Sequence, residues 1–277
     1  MTMFNLVATR SAKVGFAAKS MYVDRSNVLW ARLMNGMLAR YDLIENETEV
    51  SSFRINGIAW SKSKAYFVDD SLHFTTIDLA TKEMTVGSRI RGGTGPICFN
   101  SSEKLLICCA EEVYEVSASG SLSLLFNVDY EIMSIAAIRN EIWVGGYGLD
   151  RYDIATGEMR CIENERKFPV LQIAVNSDST LIAAAGGDIR FYRDGKLVTH
   201  FGNSLFRCQF SQSNILFTKT QENCTMLTPE WHHFRVAGVD VCAFSDCACI
   251  FCYGEIGSEK VVVSCDGSLF FYECVIS

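Results

Sequence analysis

The sequence predicts an all-β fold, a seven-bladed β-propeller built from four-stranded antiparallel blades. Two independent ladders of short recurring strands each count seven copies along the chain. Strands of about 4 to 8 residues between turn signals are typical of all-β proteins, and units of about 40 residues match a propeller blade. The 277 residues, 49% of them hydrophobic, therefore hold seven such units in a single domain, 1–277.

The first ladder is a short strand that ends in a polar turn and is followed by a second strand. In one copy, Ala59-Trp60-Ser61 precedes the apolar run 65–68. The apolar residues before the seven turns are Val23, Trp60, Phe99, Ile138, Val175, Phe210 and Phe244.

The second ladder is an alternating strand centred on an aromatic or aliphatic residue that is often followed by an acid. In several copies a turn and a further strand come next, as at Asp194-Gly195-Lys196. The seven centres are Tyr41, Ile77, Tyr114, Tyr152, Tyr192, Met226 and Tyr272. Together the two ladders predict about four strands in each unit.

The repeats that follow from the ladders cover residues 23–277. They are 23–55, 56–93, 94–130, 131–168, 169–203, 204–236 and 237–277. The last repeat is irregular, because extra residues lie between Asp246 and Glu259. The segment 246–259 is either a hairpin insertion or a shifted blade strand, and the sequence leaves both interpretations open.

The N-terminal segment 3–9 is predicted to close the ring. The last repeat ends with the strand around Tyr272 and has no room for a fourth strand. Open sheet edges invite aggregation, and propellers avoid them by sharing strands between the first and last blades. We expect segment 3–9 to pair beside residues 270–275 and complete the last blade.

The dipeptides Tyr41-Asp42, Ile77-Asp78 and Tyr152-Asp153 end strands of the second ladder. With the Phe-Ser and Phe-Asn turns of the first ladder, they resemble the WD-repeat propeller family over the whole chain. They stand where that family has its Trp-Asp dipeptide, but this sequence contains no Trp-Asp and no Gly-His, so the repeats are degenerate. The resemblance implies a platform for protein interactions without catalysis.

The net charge, the apolar runs and the cysteines limit which partners and which cellular compartment we expect. The formal net charge of -7 argues against nucleic acid as a direct ligand, because phosphate binding needs a basic field. The longest apolar run, residues 247–253, is far shorter than the roughly 20 residues of a membrane-spanning helix, so we expect no membrane insertion. The 12 cysteines lie in apolar runs. We expect core thiols in a reducing compartment, cytoplasmic or nuclear.

One cysteine cluster, Cys242 to Cys265, raises the question of a metal. Thiolates suit zinc, but the spacing lacks the paired knuckles of structural zinc sites. We therefore expect buried thiols, with no metal and no cofactor. The members of the cluster are Cys242, Cys247, Cys249, Cys252 and Cys265.

Catalytic patterns are weak in this sequence. It contains four histidines and no Gly-x-Ser-x-Gly nucleophile motif. Asp42, Asp78 and Asp153 recur with the repeat, which favours a role in turns over a role as channel carboxylates. We expect no enzyme; the alternative is a propeller enzyme or small-ligand binder that uses the central channel.

Loops that emerge on one face of the disc are the candidates for binding other proteins. Turns between second and third strands share that face with the loops between blades. Exposed aromatic and arginine side chains are common anchors of interfaces. The candidate residues are Asp69, Tyr147, Arg166, Lys167, Trp231 and His232. For Trp231, packing between the sixth and seventh blades is an equal alternative.

The function that these observations predict is a non-catalytic scaffold, a subunit of an intracellular multiprotein complex whose partners are other proteins. A nuclear or ribosome-biogenesis assembly factor, touching RNA through a local basic patch, is a further alternative. The acidic pI of about 5.2 counts against that last interpretation.

Overall fold

The computed structural model covers the chain with several internal gaps. The described residues are 4–90, 95–117, 120–164, 167, 169–201, 208–210, 216–219, 224–227, 233–235, 247–253, 260–265 and 267–276. Within these ranges all regular structure is β-strand, with no helix. The predicted all-β class is confirmed.

The described residues form 27 strands in six antiparallel sheets, five of four strands and one of seven. The chain begins with β1 (Phe4–Lys13). The seven-stranded sheet follows as β2 (Ala18–Val23), β3 (Val28–Leu33), β4 (Met37–Asp42), β5 (Thr48–Trp60), β6 (Lys64–Asp69), β7 (His73–Asp78) and β8 (Met84–Arg89).

Three complete four-stranded sheets come next along the chain. The first has β9 (Ile97–Phe99), β10 (Leu105–Cys109), β11 (Glu112–Val116) and β12 (Leu122–Asn127). The second has β13 (Ser134–Ile138), β14 (Glu141–Gly145), β15 (Leu149–Asp153) and β16 (Met159–Glu163). The third has β17 (Gln172–Val175), β18 (Ile182–Gly186), β19 (Asp188–Arg193) and β20 (Lys196–Phe201).

Two further sheets complete the described strands. One contains β21 (Cys208–Phe210), β22 (Leu216–Lys219), β23 (Cys224–Leu227) and β24 (His233–Arg235). The other contains β25 (Cys247–Tyr253), β26 (Lys260–Cys265) and β27 (Ser268–Ile276), with β1 as its fourth strand.

The seven-stranded sheet consists of two four-stranded units that share β5. The first half of β5 pairs with β4, and its second half pairs with β6, from Ile55 opposite Asp69 to Trp60 opposite Ala65. The partner changes between Arg54 and Ile55, and the register with β6 then shifts between Ile55 and Gly57. Gly57 is required there, because a Cβ at this position would lie 2.5 Å from the carbonyl oxygen of Gly95. Both units therefore repeat the hairpin order of the four-stranded sheets.

The N-terminal strand joins the C-terminal sheet. β1 pairs antiparallel with β27, with Phe4 opposite Ile276 and Lys13 opposite Ser268. The strand is longer than the predicted segment, because pairing continues beyond residue 9 to Lys13. One sheet thus contains both ends of the described chain.

The irregular last repeat is explained by a shifted strand. β25 is the first strand of its sheet and begins at Cys247, after Phe244, the centre expected from the first ladder. Within the segment 246–259, residues 247–253 therefore form one of the four strands of this sheet. Residues 254–259 lie outside the described part of the chain.

The strands that begin successive four-stranded units contact one another in chain order, with β5 counted as the start of the second unit. The contacts run from β5 through β9, β13, β17 and β21 to β25, and β25 contacts β2. Apolar cores fill the spaces between neighbouring sheets: Trp143 and Tyr192, for example, are almost fully buried in one cluster. Burial of a large apolar side chain contributes roughly 1.5–3 kcal/mol, so these inter-sheet cores are a main source of stability.

Polar residues of the first ladder close the turns between first and second strands. Asp24 accepts hydrogen bonds at Oδ1 from the N–H of Val28, at 3.0 Å, and at Oδ2 from Nε1 of Trp30, at 2.8 Å. Asn100 and Asn176 accept backbone N–H groups at the equivalent turns. The repeat visible in the sequence is therefore a repeat of turn hydrogen bonding.

Candidate protein-interaction face

The recurring aspartates of the second ladder bind the backbone of their own turns. The Oδ1 atom of each accepts two N–H groups at 2.9 to 3.1 Å. These bonds favour the charged form and lower the pKa of all three carboxyls. The residues are Asp42, Asp78 and Asp153, so the predicted turn role is confirmed for them.

Tyr147 lies in the turn between β14 and β15 and is the aromatic side chain among those predicted site residues that the structure describes. It is 53% exposed, whereas Gly146 and Gly148 on either side are buried. The N–H of Gly146 donates to the carbonyl oxygen of Gly148 at 3.0 Å, which closes the turn beneath the side chain. The phenol is thus presented to solvent from a buried backbone.

The glycines of this turn are needed because neighbouring groups approach its backbone closely. A Cβ at Gly148 would lie 2.5 Å from Cε1 of Tyr130, and one at Gly145 would lie 2.7 Å from Oγ of Ser134. Both distances are shorter than van der Waals contact. The Tyr147 turn is therefore packed in place by its surroundings.

Tyr130 anchors the turn from below through a hydrogen-bonded carboxylate. Its hydroxyl donates to Oδ2 of Asp150 at 2.7 Å, and the carbonyl oxygen of Val144 lies 3.1 Å from the same hydroxyl oxygen. Asp150 is only 8% exposed. Burial raises the pKa of Asp150 and the nearby charge of Asp129 raises it further, although the bond from Tyr130 acts in the opposite direction. Burial, followed by the bond to Asp150, also raises the pKa of Tyr130.

Two connecting segments flank the Tyr147 turn. The N–H of Met133 donates to the carbonyl oxygen of Gly145 at 2.8 Å, and the N–H of Val170 donates to that of Gly146 at 2.7 Å. Leu171, next to Val170, is 40% exposed. Leu171 follows Val170 in the chain and Tyr147 follows Gly146. The two exposed side chains therefore stand next to the same backbone hydrogen bond.

Acidic residues lie on connecting segments next to the Tyr147 turn. The N–H of Val128 donates to the carbonyl oxygen of Glu111 at 2.9 Å, which ties the segment after β12 to the turn between β10 and β11. Glu111, Asp129 and Glu131 are all exposed. We call the exposed side chains of Glu111, Asp129, Glu131, Tyr147 and Leu171 the Tyr147 patch.

Of the remaining predicted site residues, the structure describes Asp69 and Lys167. Asp69 is the last residue of β6, and its Oδ1 accepts the N–H groups of Ser71 and His73 at 2.9 Å across the turn to β7. Lys167 is exposed in the connection between β16 and β17, near the Tyr147 patch in the chain. Arg166, Trp231 and His232 lie outside the described residues.

The sequence did not reveal several members of the patch. Leu171, Glu111, Asp129 and Glu131 belong to no motif, and only the backbone bonds between connecting segments bring them together. Tyr130 was also missed. Its partner Asp150 lies 20 positions away, too far for a local pattern to indicate the pair.

The cysteines for which side chains are described are free thiols. Cys108, Cys109 and Cys265 are buried, and burial raises the pKa of Cys98 to about 12. Cys161 is exposed, so the expectation of core thiols is wrong at that position. Of the cluster from Cys242 to Cys265, the structure describes only the side chain of Cys265. No group of three His, Cys, Asp or Glu side chains placed to hold a metal occurs among the described residues.

A cavity of about 240 Å³ lies where the first and last sheets meet. Its walls include Arg10 from β1, Lys260 from β26 and Tyr253 from β25. The guanidinium of Arg10 already donates to the carbonyl oxygen of Leu43 at 2.8 Å. The cavity thus marks the contact between the two sheets, where Arg10 links them.

No protein-family model and no curated protein sequence matches the chain. In the described part of the chain, no helix is long and apolar enough to cross a membrane.

Proposed function

We propose that the chain is a non-catalytic scaffold for protein interactions, built on a closed seven-bladed propeller of degenerate WD-like repeats. Support for seven blades comes from counting the two halves of β5 separately, which gives every unit four strands. Support for closure comes from the pairing of β1 with β27 and the contact between β25 and β2.

The observation that carries this function is the presentation of Tyr147. A half-exposed tyrosine stands on a turn whose backbone is fixed by glycine packing and by hydrogen bonds to two connecting segments. Tyrosine is enriched at interface hot spots, because a rigid ring supplies contact area at low entropic cost. A fixed, exposed tyrosine beside the exposed Leu171 suits binding of another protein.

The recurring carboxylates support a scaffold over a channel enzyme. Asp42, Asp78 and Asp153 each hold two backbone N–H groups of a turn. A carboxylate engaged in this way stabilises local structure and is poorly placed to act as a general acid or base. We further propose that the protein is a subunit of a cytoplasmic or nuclear complex, where buried thiols such as Cys108 stay reduced.

Quantitative affinity purification tests the proposal. Wild-type protein and the variant Tyr147→Ala are used as baits, with Ile154→Ala as the matched control, because Ile154 is 37% exposed in the turn between β15 and β16. We expect the recovery of specific partners to fall about tenfold or more with Tyr147→Ala, since truncation of a hot spot costs about 2 kcal/mol or more and each 1.4 kcal/mol is a factor of about ten. The control is expected to retain them.

Equal recovery of every partner by wild type and Tyr147→Ala would contradict the proposal. Thermal melting of both variants separates loss of binding from loss of folding, because truncating an exposed side chain should leave the melting temperature nearly unchanged.

A further inference from the structure

We infer that the partner segment bound at the Tyr147 patch is a basic peptide, in which lysine or arginine residues flank an apolar side chain. The inference rests on the proposed function and adds the chemistry of the partner. It follows from the exposed acids on the connecting segments next to Tyr147 and Leu171.

The acids and the apolar pair lie on connecting segments that are linked to one another through their backbones. Backbone hydrogen bonds connect Glu111 to Val128, the neighbour of Asp129, at 2.9 Å. A Cβ at Gly146 would collide with the carbonyl oxygen of Glu131, so Glu131 lies against the residue that precedes Tyr147. The bond from Val170 to Gly146 then brings in Leu171. Glu131 and Leu171 are thus each one step from Gly146, the residue before Tyr147. Glu111 and Asp129 are connected to the same place through the segment 128–131.

The charge of this surface is one-sided. Glu111, Asp129 and Glu131 are exposed, and Lys167 is the exposed cation described in the adjoining connection. The negative charge of Asp129 also acts on the buried Asp150, since it contributes to the raised pKa of that carboxyl. An incoming cation therefore meets an excess of negative charge on the side of the patch formed by residues 111–131.

A basic peptide matches both parts of the patch. A guanidinium or ammonium group can lie over the ring of Tyr147 and face the carboxylates at the same time. An apolar neighbour on the peptide can cover Leu171. Complementary charge gives the complex its specificity and a fast association rate, while the preformed turn lowers the entropic cost of binding.

Peptide display provides the probe. Random 12-residue peptides are selected on the purified full chain, and the enriched sequences are labelled with fluorescein for anisotropy measurements. We expect enriched peptides to combine lysine or arginine with an apolar residue. Their affinity should fall when salt is raised, because exposed charge pairs are screened.

Variants assign the binding to the patch. We expect Tyr147→Ala and the double variant Asp129→Lys/Glu131→Lys each to weaken peptide binding about tenfold or more. The matched control is Glu45→Lys/Glu47→Lys, which reverses two exposed acids in the turn between β4 and β5. That control should bind like wild type. If the lysine variant fails to fold, as judged by thermal melting, Asp129→Asn/Glu131→Gln replaces it and should still weaken binding.

The outcomes separate the two levels of the proposal. Peptides that need Tyr147 but carry no basic residues, or that ignore charge reversal at Asp129 and Glu131, overturn the basic partner and leave the scaffold function standing. Failure to enrich any peptide that depends on Tyr147 overturns the basic-peptide inference, and the scaffold function is then decided by the partner-recovery experiment.

Discussion

The guanidinium of Arg10 lies over the ring of Phe271, 4.3 Å from its centre. Arg10 belongs to β1 and Phe271 to β27, which are paired neighbours in the last sheet. The same guanidinium donates to the carbonyl oxygen of Leu43 in the first sheet. One side chain therefore links the strand that completes the last sheet to the turn that follows β4.

Removal of this link should weaken the junction between the first and last sheets. We expect Arg10→Ala to lower the free energy of unfolding by about 1 to 2 kcal/mol, the sum of a hydrogen bond and a cation–π contact. Chemical denaturation measures the change, with Arg193→Ala, another exposed arginine, as the control. An Arg10→Ala variant no less stable than the control would show that the link contributes nothing.

Deletion of the N-terminal strand should have a larger effect. Removal of residues 1–9 eliminates the pairing of Phe4 to Ala8 with Tyr272 to Ile276 and exposes the edge of β27. We expect a clear fall in the melting temperature and a tendency to aggregate, because an open strand edge is a template for pairing with other chains. Differential scanning calorimetry and light scattering report both effects. An unchanged melting temperature would refute closure by this strand.

Local turn chemistry made much of the fold predictable from the sequence. The aspartate that follows Tyr41 and the one that follows Tyr152 mark turns, because a carboxylate can accept N–H groups two and three residues ahead. The position of β25 was harder to predict from the sequence. The long interval between Met226 and Tyr272, the last two copies of the second ladder, allows either an inserted hairpin or a shifted strand. The pairing of β25 with β26 shows that residues 247–253 form a strand of the last sheet.

The candidate site was predictable in part for a similar reason. Tyr147 stands between glycines, which is a local signal of a turn. The approach of Tyr130 and Leu171 depends on long-range packing of connecting segments, which leaves no periodic trace in the sequence. Nothing in the residue order indicates that Asp150 is buried beneath the turn.

The close packing of Tyr130 against Gly148 gives a test of the turn. We expect Gly148→Ala to destabilise the protein by about 1 to 3 kcal/mol, because the added methyl group overlaps the Tyr130 ring. The three nearest atoms to that methyl group all belong to Tyr130. In a Tyr130→Ala background the same substitution should therefore cost much less.

A double-mutant cycle over Gly148 and Tyr130 measures this coupling by denaturant unfolding. Additive effects of the two substitutions would show that the ring does not fix the turn. Peptide binding by Gly148→Ala should weaken along with stability, because the substitution moves the backbone that presents Tyr147.

Asp150 should make stability depend on pH in the direction opposite to the turn aspartates. Burial and the charge of Asp129 raise its pKa in the folded protein above the ordinary value of 3.8. Between the ordinary pKa of 3.8 and the raised pKa of the folded state, the folded protein binds more protons than the unfolded chain. Stability therefore falls as pH rises from the lower of these pKa values to the higher. We expect Asp150→Asn, which keeps an oxygen for the Tyr130 hydroxyl, to be more stable than wild type at neutral pH. The advantage should narrow below pH 3.8.

Asp153 provides the matched control with the opposite sign. Backbone hydrogen bonds lower its pKa in the folded protein, so its contribution is present at neutral pH and is lost as pH falls through the lowered value. Asp153→Asn should therefore be less stable than wild type at neutral pH, and the difference should shrink in acid. Denaturant unfolding of both variants from pH 7 to about pH 3 measures the two slopes. If Asp150→Asn and Asp153→Asn shift stability in the same direction at neutral pH, the charged form of Asp150 is not the unfavourable one.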